Sequence, residues 1–371
     1  MPEKSAIHAA LATVIDPEIR RPITDLGMVD DVRVDDAGVV FVTVLLTVEG
    51  CPLQQTIDHD VRQALAQVAG VTDVQVTLGT MTDEQRAKLR ETLHGGAAER
   101  EIPFARDDSR TQVVLVASGK GGVGKSSVAA NLAAALAQRG LSVGVLDADI
   151  YGHSIPPMFG LRDAVPTMVD DMIMPVPASP AGVSVMSIGM LKQSPDQVIA
   201  WRGPILDRAL QQFLADVYWG DLDFLVIDLP PGTGDVALSL GHKLPNAGVL
   251  VVTTPQQASA DVAERAGTMA SMVNQRVIGV VENMAYLDVA CPDCGAQTRV
   301  DVFGEGGGRR VAATLTARLG YDVPLLAEVP IDPGVAASGD SGVPMVVSSP
   351  DSGAARALAG VADRLAGAEP Q

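Results

Sequence analysis

The sequence predicts an α/β protein, a mostly parallel sheet flanked by helices, preceded by a small α+β domain. Three observations carry that expectation. Hydrophobic residues make up 47% of the chain but aromatics only 3%, so the core must be aliphatic, as it is where helices cover buried parallel strands. From Thr111 onward, short aliphatic runs alternate with helical stretches, the rhythm of repeated βα units. Before that point the pattern is different, with β-branched runs and short helices mixed over about 92 residues.

In that first unit an apolar helical pattern spans roughly Ser5 to Val14, and Asp16-Pro17-Glu18 and Asp25-Leu26-Gly27 punctuate a turn region. The run from Val39 to Val48 is rich in β-branched residues and reads as a strand. Cys51-Pro52 follows, with Pro52 placed to open a helix to about Val68. A strand near Val71 to Leu78 and a short polar helix from about Asp83 complete the unit. Leu93 to Arg110 is Gly-rich, then charged and interrupted by Pro103, and reads as a linker. The strand Val113 to Ala117 then leads into a Gly-rich loop and a helix through Ala137. Ser142 to Leu146, Phe224 to Ile227, Val249 to Val252 and Val277 to Val281 are further strands, with helices at Ile205 to Val217 and Ala258 to Met272. The expected organisation is therefore a domain at 1–92, a linker at 93–110 and a larger domain at 111–371.

Bulk properties exclude several functions. A net charge of −18 argues against nucleic-acid binding, which needs clustered Lys and Arg to neutralise phosphates. No apolar run reaches the length of a membrane span, and no basic-then-apolar leader is visible. Three cysteines do not make a secreted disulfide framework. The chain reads as soluble and cytoplasmic, with no nucleic-acid or membrane partner.

The strongest chemical signal lies between a strand and a helix, at Ser118-Gly119-Lys120-Gly121-Gly122-Val123-Gly124-Lys125-Ser126-Ser127. It contains G-x-x-x-x-G-K-[ST] in the strand–loop–helix context that this motif requires. Glycines let backbone N–H groups turn inward around phosphates, and the helix that follows presents its positive end. The nucleotide site is thus expected at Gly119 to Ser127, with Lys125 reaching the β- and γ-phosphates of ATP and the Ser126 hydroxyl ligating Mg²⁺. Carboxylates follow at strand ends: Asp147 and Asp149 after Ser142 to Leu146, and Asp228 after Phe224 to Ile227, with Pro230 to Asp235 as the loop behind it. The carboxyl ends of parallel strands are where such sheets bind ligands. Phosphoryl transfer depends on positioning and charge neutralisation, which Lys, Mg²⁺ and Asp supply. A separate pair, Cys291-Pro292-Asp293-Cys294, has the spacing of a zinc ligand pair, a cluster ligand pair or a thiol–disulfide motif. Only Cys51 and five histidines remain to complete a zinc set within one chain.

The loop with its additional lysine, Lys120, resembles that of the deviant-Walker P-loop ATPases, which include the MinD/ParA partitioning proteins and the nitrogenase iron protein. There, Lys120 would be the signature lysine that reaches the nucleotide of a partner, so the resemblance implies a homodimer. It also implies that Asp147 holds a Mg²⁺-bound water, that Asp149 orients the attacking water, that Asp228 is the Walker B carboxylate, and that Asn283 reads the adenine edge. Further stretches narrow the resemblance to the Mrp/ApbC family of iron–sulfur cluster carriers: Asp147 to Gly152, Arg202-Gly203-Pro204, Asp228 to Asp235, Thr253 to Gln256, Val281 to Met284, Cys291 to Gly295 and Phe303 to Gly308. Gly152-His153-Ser154 departs from the family's Gly-Pro-Ser, and Ser127 from its usual Thr; neither removes an expected ligand. The resemblance implies a [4Fe–4S] cluster held by Cys291 and Cys294 of two protomers, transfer to apo-proteins, and exchange with cluster-assembly factors. The first 92 residues resemble the PaaD/SufT-type domain through Asp16 to Ile19, Asp25 to Gly27 and Thr47 to Pro52. Cys51 then reads either as a third thiol of the relay or as a small residue at a strand end. Two other functions compete: a MinD/ParA-type positioning ATPase and a zinc-stabilised ATP switch.

Overall fold

The computed structural model describes residues 2–16, 21–46, 54–82, 84–85, 88–89, 101–106, 108–149, 152–169, 172–191, 203–232, 234–291 and 293–367. Two compact units divide the chain: Met1–Arg100 with Val198–Arg208, and Glu101–Gln197 with Ala209–Gln371.

The first unit is built from α1 (Lys4–Leu11), β1 (Val29–Val34), β2 (Val39–Leu46), α2 (Gln54–Ala66) and β3 (Asp73–Thr80). Strand β2 is central, antiparallel to β1 and parallel to β3. Its alternate residues Val40, Val42 and Val44 are buried. Ile7 and Leu11 of α1, and Ile57, Val61 and Leu65 of α2, recur every fourth residue and so form apolar stripes in the same core. The β1–β2 turn requires glycine. Gly38 has φ +85°, and a Cβ there would lie 2.5 Å from the Gly70 carbonyl oxygen. Strand β1, Val-Asp-Asp-Val-Arg-Val, is not legible as a strand because consecutive aspartates break its alternation. Pro17 to Arg20, Thr47 to Leu53 with Cys51, Asp83 and Leu93 to Arg100 lie outside the described residues.

The second unit opens on a 3₁₀ turn at Pro103–Ala105, where Ile102 and Phe104 are buried. Along the chain follow β4 (Gln112–Ser118), α3 (Lys125–Ala137), β5 (Val143–Asp147), α4 (Ile155–Met158), β6 (Thr167–Val169), β7 (Met172–Met174), β8 (Val176–Ala178) and β9 (Val183–Ser187). Next come α5 (Gly203–Ala215), β10 (Phe224–Asp228), α6 (Asp235–Lys243), β11 (Gly248–Thr253), α7 (Gln257–Met272) and β12 (Arg276–Glu282). The remainder is β13 (Leu287–Ala290), β14 (Gln297–Val300), α8 (Gly307–Leu319), β15 (Leu325–Glu328), α9 (Pro333–Ser341), α10 (Met345–Ser348) and α11 (Gly353–Ala366). Among the described residues an eight-stranded sheet has the order β15-β12-β11-β4-β10-β5-β9-β8. Every neighbouring pair is parallel except β8 with β9.

Burial on both faces explains the continuous aliphatic strands. Val114 and Val116 of β4, Val226 of β10, and Leu250 and Val252 of β11 share a core with α3 and α11. The alternate residues Val113, Leu115, Leu225, Ile227, Val249 and Val251 are buried as well, on the opposite face, where α7 packs against β4 and β11. Helix α3 is buried almost all round, because alanines let it lie between the sheet and α11. Its one buried amide is satisfied: Asn131 donates to the Ser127 carbonyl and accepts from the Val346 N–H. Strands β9 and β15 escape sequence reading because they are short and mixed in polarity, whereas β13 and β14 are almost wholly exposed and owe their structure to pairing. Among the described residues no helix is long and apolar enough to cross a membrane.

Leu132 has no solvent exposure. Leu132→Ala is expected to lower unfolding free energy by about 2–5 kcal/mol through lost transfer energy and the cavity left behind, read by urea denaturation.

Candidate functional site

Strands β4 and β5 are successive in the nucleotide-motif region, yet they do not pair; β10 lies between them and is parallel to both. Their carboxyl ends therefore converge with that of β10. The register sets Asp228 opposite Val116 on one side and Asp147 on the other. The Gly119 to Gly124 loop leaves β4 at this edge, and α3 begins at Lys125. Gly122 and Gly124 both have φ +79°, a conformation that costs little only without a Cβ. Gly119 is needed for a different reason: a Cβ there would strike the backbone of Val262 and Ala263 in α7.

At the loop's end, Lys125 is 6% exposed and Asp228 has no exposure. Lys125 Nζ lies 2.5 Å from Asp228 Oδ1, and the Ser126 hydroxyl donates to Asp228 Oδ2 at 2.6 Å. One carboxylate thus holds both side chains. Burial pushes the Asp228 carboxyl above its usual range, while Lys125 and Ser126 oppose that. Asp147, beside it and also without exposure, is pushed up to about 7 by burial and then by the Asp228 charge. It accepts from the Asp149 N–H at 3.1 Å, the Ile155 N–H at 3.2 Å and the Ser187 hydroxyl at 3.2 Å. Asp149 is 8% exposed and accepts from the Gly152 N–H at 3.0 Å.

Lys125, Ser126, Asp147, Asp149 and Asp228 are therefore gathered at one edge. Lys120 stands apart from that cluster, donating to Gln256 Oε1 at 3.2 Å. Asn283 donates from Nδ2 to the Val123 carbonyl at 2.9 Å, and a Cβ on Gly124 would collide with that nitrogen. The Ser127 carbonyl is engaged by Asn131. Gly232, in the loop after β10, donates its N–H to the Ser118 carbonyl at 2.8 Å and so ties that loop to the end of β4. Sequence reasoning did not single out Gln256 or Ser187 as partners. Ser187 ends β9 and Gln256 precedes α7, but only the sheet order brings them to Asp147 and Lys120. Ile150, Tyr151, Arg202 and Thr233 lie outside the described residues.

The cysteine pair sits at the tip of a two-stranded hairpin rather than in an irregular loop. Strands β13 and β14 pair antiparallel from Leu287 with Val300 to Ala290 with Gln297. The turn closes by the Cys291 N–H donating to the Ala296 carbonyl and the Gly295 N–H donating to the Cys291 carbonyl, each at 2.9 Å, with Gly295 at φ +71°. Cys294 is exposed and Cys291 half-buried. Backbone N–H groups of Cys294 and Asp293, with the Cys294 thiol, pull the Cys291 thiol below its usual value. That favours the thiolate, the form that binds metal. Among the described residues, no group of three or more His, Cys, Asp or Glu side chains is placed to hold a metal ion.

Comparison with known proteins bears on both sites. Residues 109–366 match the family model described as NUBPL iron-transfer P-loop NTPase, and residues 4–78 match the iron–sulfur cluster assembly protein model. A Mycobacterium tuberculosis protein named iron–sulfur cluster carrier protein is 56% identical over 97% of this chain and 92% of its own. One of the same name from Deinococcus radiodurans is 45% identical over 98% and 94%. A solved nucleotide-binding protein from Archaeoglobus fulgidus, in complex with ADP, is 40% identical with a TM-score of 0.51 over 62% of this chain and 86% of that one.

The raised Asp147 value sets the sign of a pH effect. Between about pH 4 and pH 7 the unfolded chain has released this proton and the folded one retains it. Stability contributed by the group is therefore lost as pH rises through that window. Urea denaturation of nucleotide-free protein is expected to show this decline in the wild type and a flatter profile in Asp147→Asn.

Proposed function

The chain belongs to the NUBPL-type iron-transfer P-loop NTPases, and from that premise we propose that it is an ATP-hydrolysing carrier of a [4Fe–4S] cluster. The observation that carries the reading is continuity: strand β12 ends at Glu282, the next residue, Asn283, meets the loop at Val123 and Gly124, and the same segment runs into the hairpin that bears Cys291 and Cys294. A nucleotide site and a pair of thiols thus belong to one body.

The loop fits a nucleoside triphosphate. Gly122 has open space where a Cβ would be, and α3 begins at Lys125 just beyond the loop, so the N–H groups of its first turn would be available to phosphate. Lys125 would exchange its contact with Asp228 for β- and γ-phosphate oxygens. Ser126, freed from the same carboxylate, would offer its hydroxyl to Mg²⁺, with Asp228 and Asp147 behind it. Mg²⁺ supplies charge neutralisation at the phosphates. Asp149 would orient the water that attacks the γ-phosphorus while the bond to the bridging oxygen breaks. Lys120, on the loop's other flank, would reach the nucleotide of a second copy. This reading keeps 1–92 and 111–371 as separate domains, the first being of the iron–sulfur assembly type.

The cluster is cargo rather than a resident group. Two thiolates per chain satisfy half of a four-thiolate set, so the reading pairs two chains in a homodimer around one cluster, for delivery to apo iron–sulfur proteins in the cytoplasm. Anaerobic reconstitution with iron and sulfide tests it. The expected result is about two iron atoms per chain in a dimer, and loss of cluster absorbance in the double variant Cys291→Ala, Cys294→Ala. Retention of the same cluster by that variant, or stoichiometric zinc in its place, would overturn the carrier reading. Lys125→Ala and Asp149→Ala are each expected to reduce ATP turnover by at least about 100-fold, measured by phosphate release from protein whose fold is checked by circular dichroism.

A further inference from the structure

We propose that Asn283 is a positioning residue that transmits the state of the phosphate-binding loop to the cysteine hairpin. The inference rests on the reading of the loop as a nucleotide site and of Cys291 and Cys294 as the cargo thiols. It assigns the residue a mechanical role in joining them.

Asn283 is held from two sides. Its backbone N–H donates to the Thr253 carbonyl at 2.8 Å, which fixes it to the end of β11. Its side chain donates to the Val123 carbonyl, and Gly124 has no room for a Cβ beside that amide. A rearrangement of the loop at Val123–Gly124 must therefore displace the Asn283 side chain or lose its hydrogen bond. The next residue, Met284, adopts φ +55°, an uncommon conformation for a residue with a long side chain. Its Cε would lie 3.6 Å from a Cβ on Gly124, so Met284 also closes on the loop.

Beyond this bend the chain is gripped again. The Ala285 N–H donates to the Val329 carbonyl at 2.8 Å, and the Tyr286 carbonyl accepts from the Ile331 N–H at 2.6 Å. The Tyr286 ring lies 3.8 Å from the guanidinium carbon of Arg299, which is on β14, the returning strand of the hairpin. Displacement at Met284 therefore reaches both strands of the hairpin. The other root of the hairpin is fixed to the same sheet edge, at Glu282 beside Asn283 and at the end of β11. Glu282 accepts from the Gly308 N–H, and a Cβ on Gly307 would lie 2.6 Å from both the Thr254 and the Pro255 carbonyl oxygens. Both roots are held at the sheet edge and only the Asn283–Met284 bend also rests on the loop, so loop motion acts on the hairpin through that bend, as a tilt or twist of the turn that carries the thiols.

The test reads the thiols directly. Metal-free protein is alkylated with iodoacetamide, with and without Mg²⁺ and a non-hydrolysable ATP analogue, and the rates at Cys291 and Cys294 are resolved by peptide mass spectrometry. Each variant is measured at analogue concentrations that its own titration shows to be saturating. In the wild type the analogue is expected to change these rates by at least about fivefold, the lower end of ordinary coupling between sites. Asn283→Ala is expected to abolish the change, in protein whose fold is checked by circular dichroism. Met284→Gly, which loosens the bend without removing the amide, is expected to diminish it. A wild type whose thiol rates ignore saturating analogue, or both variants keeping the full response, would overturn the inference. Cluster content in the wild type is measured separately, so an intact cluster with no such response removes the coupling alone and leaves the carrier reading standing.

Discussion

A carboxylate without solvent exposure has to be matched by charge and hydrogen bonds, and Asp228 is matched by the first two residues of α3. Lys125 and Ser126 both end on it. Removing one partner of such a buried pair costs about 3–5 kcal/mol, because it leaves an uncompensated charge in a low-dielectric interior. The pairing depends on β10 lying between β4 and β5, since only that order places Asp228 below the start of α3. Much of the site follows from this constraint. Asp147 is buried and brought beside a second carboxylate, and burial first, then the Asp228 charge, pushes its carboxyl up to about 7. In the proposed reading, phosphate and Mg²⁺ would compete for the groups that Asp228 holds, so the contacts that stabilise the loop would also prepare it for a nucleotide.

The hairpin follows a different physical rule. Strands β13 and β14 are largely exposed, and no apolar core of their own organises them. They are maintained by their mutual register, by the Arg299 contact with Tyr286, and by the anchoring of both ends in the sheet. Such elements lie toward the low-stability end of a protein, where ligand-handling segments are commonly found. Cysteines at the tip are accessible, and backbone donors around Cys291 favour its thiolate. Both properties suit the proposed carrier role, since ligands that are too deeply enclosed would not release a cluster.

Much of this was legible in the residues. The aliphatic runs that became β4, β5, β10, β11 and β12 were readable because strands buried on both faces must be continuously apolar. The phosphate loop was readable because its glycines serve backbone geometry, and that requirement is local in sequence. The Cys291 and Cys294 spacing was equally plain. Elements that obey no burial rule were not: β1 with its aspartates, the short β9 and β15, and the exposed hairpin.

What the sequence by itself determined was therefore the fold class, the family resemblance and the identity of the chemical groups, each of which is encoded within a few consecutive residues. Only the tertiary structure decided which groups meet. Asp228 holding Lys125 and Ser126, Gln256 meeting Lys120, Ser187 supporting Asp147 and Asn283 leaning on Val123 all join residues that are far apart in the chain. Such contacts depend on the order of strands in the sheet. Strand order is set by how all the helices and strands pack at once, and no local pattern carries it.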